Sequence, residues 1–79
     1  MSARELFEML GYRYFKATKE RITYKKRKMI NGASHEYEIT FDLEKKSYFK
    51  MLDGFGPCHV YVDEHRAINQ QFKELKMLK

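Results

Sequence analysis

The sequence predicts an α+β fold. The expected architecture is an antiparallel meander of four to five strands flanked by an N-terminal and a C-terminal helix packed on one face, in the order α-β-β-β-β-(β)-α. Three observations carry this. Asn31-Gly32 sits at the middle of an alternating stretch from Arg21 to Asp42. Ser2-Ala3-Arg4-Glu5 opens an apolar stripe that Gly11 closes. Ile68, Phe72 and Leu75 form a second helical stripe near the C-terminus. At 79 residues the chain suits one domain, 1–79, with one modest core.

The first helix follows from its ends. Ser2 can accept from the backbone N–H of Glu5 while Glu5 reaches back, a capping box. Ala3, Leu6, Phe7 and Leu10 follow the i, i+3, i+4, i+7 spacing of one helical face. Gly11 stands at the C′ position, where a left-handed residue ends a helix. The helix is therefore expected over Ala3 to Leu10. Tyr12 to Ala17 is aromatic-rich and reads as a first strand, turned by Thr18-Lys19-Glu20 into the next.

Arg21 to Asp42 reads as a two-stranded hairpin. A type I′ turn needs positive φ at both central residues, which Asn and Gly tolerate. With Asn31 and Gly32 as the loop, Ile22 faces Phe41, Tyr24 faces Ile39 and Lys26 faces Tyr37 on one side. The other side pairs Arg21 with Asp42, Thr23 with Thr40, Lys25 with Glu38 and Arg27 with Glu36. A slip of one residue would oppose apolar and charged groups, so turn chemistry, alternation and charge agree on one register.

The third strand runs from about His35 to Leu43, and Glu44-Lys45-Lys46 turns it into a fourth, Ser47 to Leu52. Two registers are open there. A three-residue loop sets Phe49 and Met51 against Phe41 and Ile39; a two-residue loop turns Tyr48, Lys50 and Leu52 inward. The first gives the more apolar core and is the expectation. Asp53 to Pro57 reads as an irregular loop, since two glycines and a proline exclude a central strand. Cys58 to Val62 reads as a short last strand with Cys58, Val60 and Val62 on one face. Asp63 is the expected N-cap of a helix from Glu64 to about Met77, with Ala67 and Leu78 flanking its stripe. Glu64 in its first turn, and Lys76 and Lys79 near its end, suit the helix dipole.

Composition narrows the function classes. Apolar residues make up 43%, with six Phe and six Tyr, which argues against disorder. The single cysteine, Cys58, allows no internal disulfide and suits a reducing compartment. No apolar run is long enough to span a membrane, and the N-terminus has no signal-peptide core. A soluble, cytoplasmic protein is expected. His35, His59 and His65 lack metal-ligand spacing, so no metal is expected. Cys58 and His59 are neighbours and would point to opposite faces of a strand, which separates a nucleophile from its base. Gly54-Phe55-Gly56-Pro57 has two glycines, but the following helix begins too late to cradle a phosphate. No catalytic residues and no cofactor are expected, and the chain does not read as an enzyme.

Charge is the more informative signal. The formal net charge is +5, and it is uneven. Residues 11–32 hold eight Lys or Arg against Glu20 alone, while residues 33–44 hold only acids, Glu36, Glu38, Asp42 and Glu44. Arg13, Lys16, Lys25, Arg27 and Lys28 are the candidates for nucleic-acid contact. The aromatics alternate with these bases, so many rings are expected to point to the core while the charges point out, whereas a stacking platform needs both on one exposed face. The candidates for a protein interface are Met29 and Ile30 at the hairpin tip, together with the charged sheet face.

Two resemblances bear on this. The element order resembles a double-stranded RNA-binding domain, and Gly56-Pro57-Cys58-His59 resembles that family's Gly-Pro-x-His. There, however, the motif lies between the first two strands, and the last helix opens with Lys-Lys-x-Ala-Lys where this chain has Asp63-Glu64-His65-Arg66-Ala67. No residue is carried over. The opening Glu5-Leu6-Phe7-Glu8-Met9-Leu10-Gly11-Tyr12 and the closing Ala67-Ile68-Asn69-Gln70-Gln71-Phe72-Lys73-Glu74-Leu75 look like small uncharacterised proteins of phages and prophages of Gram-positive bacteria. That resemblance implies a small accessory protein acting by binding. The expectation is thus protein-protein binding, to an unknown protein partner or to a second copy as a homodimer, with a nucleic-acid-binding module as the alternative.

Overall fold

The hairpin closes at Asn31-Gly32, with φ of +49° and +80°, and its ladder runs unbroken from that turn to Arg21 and Asp42. In the computed structural model, which describes residues 1–75, the elements are α1 (Ala3–Met9), β1 (Arg13–Ala17), β2 (Arg21–Ile30), β3 (Ala33–Asp42), β4 (Ser47–Leu52), β5 (Gly56–Pro57) and α2 (Val62–Glu74). The strands form one antiparallel meander in the order β1-β2-β3-β4-β5. Every hairpin pair expected from the sequence is present, from Ile22 opposite Phe41 to Arg27 opposite Glu36. No helix among the described residues is long and apolar enough to cross a membrane.

α1 forms because both of its ends are satisfied. The Ser2 hydroxyl accepts from the Glu5 N–H at 3.1 Å, and the Glu5 carboxylate accepts from the Ser2 N–H at 2.9 Å. At the other end Gly11, at φ +93°, lets its own N–H reach Glu8 O and the Tyr12 N–H reach Phe7 O, both at 3.0 Å. That pair of bonds is the Schellman closure.

Both helices pack on the sheet face that carries Tyr24, Tyr37, Ile39, Phe41 and Leu52. Phe7 of α1 stacks on Tyr24 with ring centroids 4.1 Å apart, and Phe72 of α2 meets Phe41 edge-on at 5.6 Å. The Tyr24 hydroxyl donates to Gln71 Oε1 at 2.6 Å, and burial pushes its pKa up to about 12. The Ala3 N–H donates to the Glu74 carboxylate at 2.7 Å, which ties the start of α1 to the end of α2.

The C-terminal half departs from expectation in three places. The β3–β4 connection has four residues, Leu43 to Lys46, rather than three. The Asp42 carboxylate accepts from the N–H groups of Glu44 and Lys45, and Lys46 takes φ +54° to complete the turn. The parity is that of a two-residue loop: Tyr48, Lys50 and Leu52 face the helices, opposite Phe41, Ile39 and Tyr37. Phe49 and Met51 therefore lie on the open face. Second, the last strand is Gly56–Pro57, at the sheet edge where proline costs no ladder bond, and Cys58 to Tyr61 is irregular. Third, α2 begins at Val62 with Tyr61 as N-cap, so Asp63 lies inside the first turn and Val62 is 92% exposed rather than inward. The expected extension of α2 to Met77, with Lys76, Leu78 and Lys79, lies outside the described residues.

Candidate functional site

The sheet face turned away from the helices is built row by row by the register. One row runs Arg13, Lys25, Glu38, Met51 across β1 to β4; the next runs Lys16, Thr23, Thr40, Phe49. Arg21 with Asp42, and Arg27 with Glu36, extend the same face. The strands thus lay down stripes: basic on β1 and β2, acidic on β3, apolar on β4.

A bulge completes the surface. The β1 register shifts between Tyr14 and Lys16, which sets Lys16 opposite Thr23 on the open face, where alternation from Arg13 already places Phe15. Its ring sits under the Lys25 ammonium at 4.0 Å, with the Arg13 guanidinium 6.0 Å away. Phe15 is 51% exposed, Phe49 39% and Met51 36%. Lys25, Glu36, Glu38, Met51 and Asp53 line a shallow depression of about 170 Å³. Only one outer-face ion pair among the described residues closes, Arg13 to Glu36 at 2.6 Å. That hydrogen bond holds the Glu36 carboxyl below the usual carboxylate range. Thr23 and Thr40 hydroxyls meet at 3.2 Å.

The candidates chosen from sequence divide by face. Arg13, Lys16, Lys25 and Arg27 come together on the open face. Lys28 lies on the helix side, its ammonium 6.0 Å from the Tyr37 ring. Met29 is 62% exposed and continues the open face, whereas Ile30 turns to the other side and packs, half-buried, against the core. Two rings lie outside: Phe15 by plain alternation from Arg13, and Phe49 through the parity of β4.

A second cluster is buried under the helices. The Lys50 and Glu64 side chains are 0% and 5% exposed, with Nζ and Oε1 2.7 Å apart. Glu64 also accepts from the Tyr12 hydroxyl and from the Tyr61 N–H at the start of α2. The Lys50 ammonium lies 4.5 Å from the Tyr37 ring centroid and 4.2 Å from that of Tyr61. Burial pushes the Tyr12 phenol well above its ordinary value, helped by its bond to Glu64. Burial works against ionised Glu64, but the bonds from Lys50, Tyr12 and Tyr61 outweigh it and its pKa is lowered. The cluster is a tie between β4, α2 and the residue before β1, and among the described residues no buried side-chain nitrogen or oxygen lacks a hydrogen-bond partner. Nearby Cys58 is half-buried, and burial pushes its thiol up, away from nucleophilic thiolate.

Comparison with protein-family models, with curated proteins and with solved structures finds no match to this chain.

Proposed function

We propose that this chain is a small accessory protein of the cytoplasm that acts by binding another protein, through the open face of its sheet, rather than by catalysis. The observation that carries the reading is the exposure of Phe15, Phe49 and Met51 on one helix-free surface, among fixed charges of both signs. Aromatics, Met and Arg are the residue types enriched in protein interfaces, and rings held on a β-scaffold lose little entropy on contact. The likeness to small phage and prophage proteins is consistent with an accessory role, and the lone thiol suits a reducing compartment.

One observation favours a second reading, nucleic-acid binding. Phe15 shares its face with Arg13, Lys16, Lys25 and Arg27, the combination that stacks bases and holds phosphates. Glu36, Glu38 and Asp42 on the adjacent strand weigh against it, since they would repel a phosphate backbone laid across the sheet.

The test is capture from a nuclease-treated lysate at low and high salt, with wild type beside the double variant Phe15→Glu, Phe49→Glu. Proteins held at high salt by wild type and lost by the variant are the expected result. Equal capture by both would remove this face as the contact surface. Material lost on nuclease treatment, with steep salt dependence, would favour the nucleic-acid reading.

A further inference from the structure

The open sheet face is complementary to itself, and we propose that it takes a second copy of this chain. The inference rests on the reading of this face as a contact surface and names its partner.

Consider a two-fold axis lying in the interface, parallel to the strands and between β2 and β3. It sets β2 of one copy over β3 of the other, and β1 over β4. Each cross-strand row then meets the same row reversed. Lys25 comes over the second copy's Glu38, and Glu38 over its Lys25, because the two residues are direct cross-strand partners. Arg21 and Asp42 do the same two rows away, beyond the row of Thr23 and buried Thr40. At the flanks Lys16 on β1 comes over the second copy's Phe49 on β4 and Arg13 over its Met51, with exposed Phe15 between the two β1 positions, so the apolar stripe of β4 is covered by β1. Such an isologous contact uses one patch twice, and it closes without growing into a fibre. Two aligned sheets pack about 10 Å apart, a gap that Lys, Arg and Glu side chains bridge.

The charges are left for this. Within 4 Å, Arg21, Lys25, Glu38 and Asp42 have no opposite charge among the described residues; only Arg13 and Glu36 close. Their alternation in sign from β2 to β3 is what makes the face match its own image. The complementary groups number the same on each side by symmetry, so no foreign partner is needed to satisfy them.

The experiment is sedimentation equilibrium of wild type, of Lys25→Glu, of Glu38→Lys and of an equimolar mixture of the two variants. Wild type is expected to dimerise. Each single variant places like charges in both symmetry-related contacts, so each is expected to weaken dimerisation by at least ~10-fold. The mixture is expected to restore it, because one variant carries two negative charges in this row and the other two positive. Restoration cannot come from within a chain, where the like charges persist, and it requires both variants to be folded. Should either fail to fold by circular dichroism, Arg21→Glu and Asp42→Arg repeat the design two rows away. A wild type that stays monomeric, or a dimer that neither variant weakens, overturns the inference. If the chain is monomeric while Phe15→Glu, Phe49→Glu still abolishes capture, the contact surface stands and only the second copy is removed.

Discussion

Replacing Glu64 with leucine is expected to cost about 3–5 kcal/mol, because it strands the Lys50 ammonium in the core with no counter-charge. For a domain whose whole stability is on the order of 5–15 kcal/mol, that is a large share. Lys50 is fully buried, and its carboxylate partner at 2.7 Å is Glu64. The same substitution frees the Tyr12 hydroxyl and removes the acceptor that Glu64 provides to the Tyr61 N–H. The double variant Lys50→Met, Glu64→Leu is expected to recover the part of the loss that comes from the stranded ammonium, while the Tyr12 hydroxyl and the Tyr61 N–H stay without their acceptor. Urea denaturation midpoints at neutral pH measure both. A single variant within about 1 kcal/mol of wild type would mean that Lys50 reaches water.

The pair also sets a pH dependence. The folded-state pKa of Glu64 lies below its ordinary 4.5, so ionised Glu64 adds stability above that value. The contribution is lost as pH falls through the depressed folded value. Wild type is therefore expected to weaken on acidification below about pH 4.5, and the double apolar variant to lack that component.

Phe7→Ala is the second large effect expected, at about 3–5 kcal/mol. Phe7 is fully buried, stacked on Tyr24 at 4.1 Å and edge-on to Tyr12 and Phe41 at 5.7 and 6.0 Å. It is the anchor of a seven-residue helix, too short to persist without packing. The melting midpoint should fall by more than about 10 °C, and amide protection should be lost first across α1. A loss below about 1 kcal/mol would show that α1 is held by its caps and Ala3 rather than by this ring.

What the sequence made legible was local. The β2–β3 register could be read because Asn31-Gly32, the alternation and the charge pairs all constrain the same few residues. α1 could be read because Ser2, Glu5 and Gly11 fix its ends within ten residues. The parity of β4 could not, because burial of Lys50 makes sense only with Glu64, fourteen residues on and in another element. A lysine between Tyr48 and Leu52 argued against an inward face until that partner was in place. The same long-range pairing put Phe49 and Met51 outside, so part of the candidate surface was hidden with it. Phe15 was missed although alternation from Arg13 already points it outward; what alternation could not show is the bulge that brings Lys16 to the same face, since it has no required residue type here. Of the residues chosen for contact, Arg13, Lys16, Lys25, Arg27 and Met29 share the open face, while hairpin parity turns Lys28 and Ile30 to the other side.

The account turns on the open face being a contact surface built around Phe15, Phe49 and Met51. Hydroxyl-radical footprinting of dilute and concentrated protein, read residue by residue by mass spectrometry, tests this most directly. In dilute solution these three should label readily, while the buried Tyr24 and Phe41 should not. On concentration the three are expected to become protected, with exposed Met9 and Phe55 unchanged. If they label no faster than Tyr24 when dilute, β1 or β4 is turned the other way. If labelling at all three is the same at every concentration, the face does not receive a second copy.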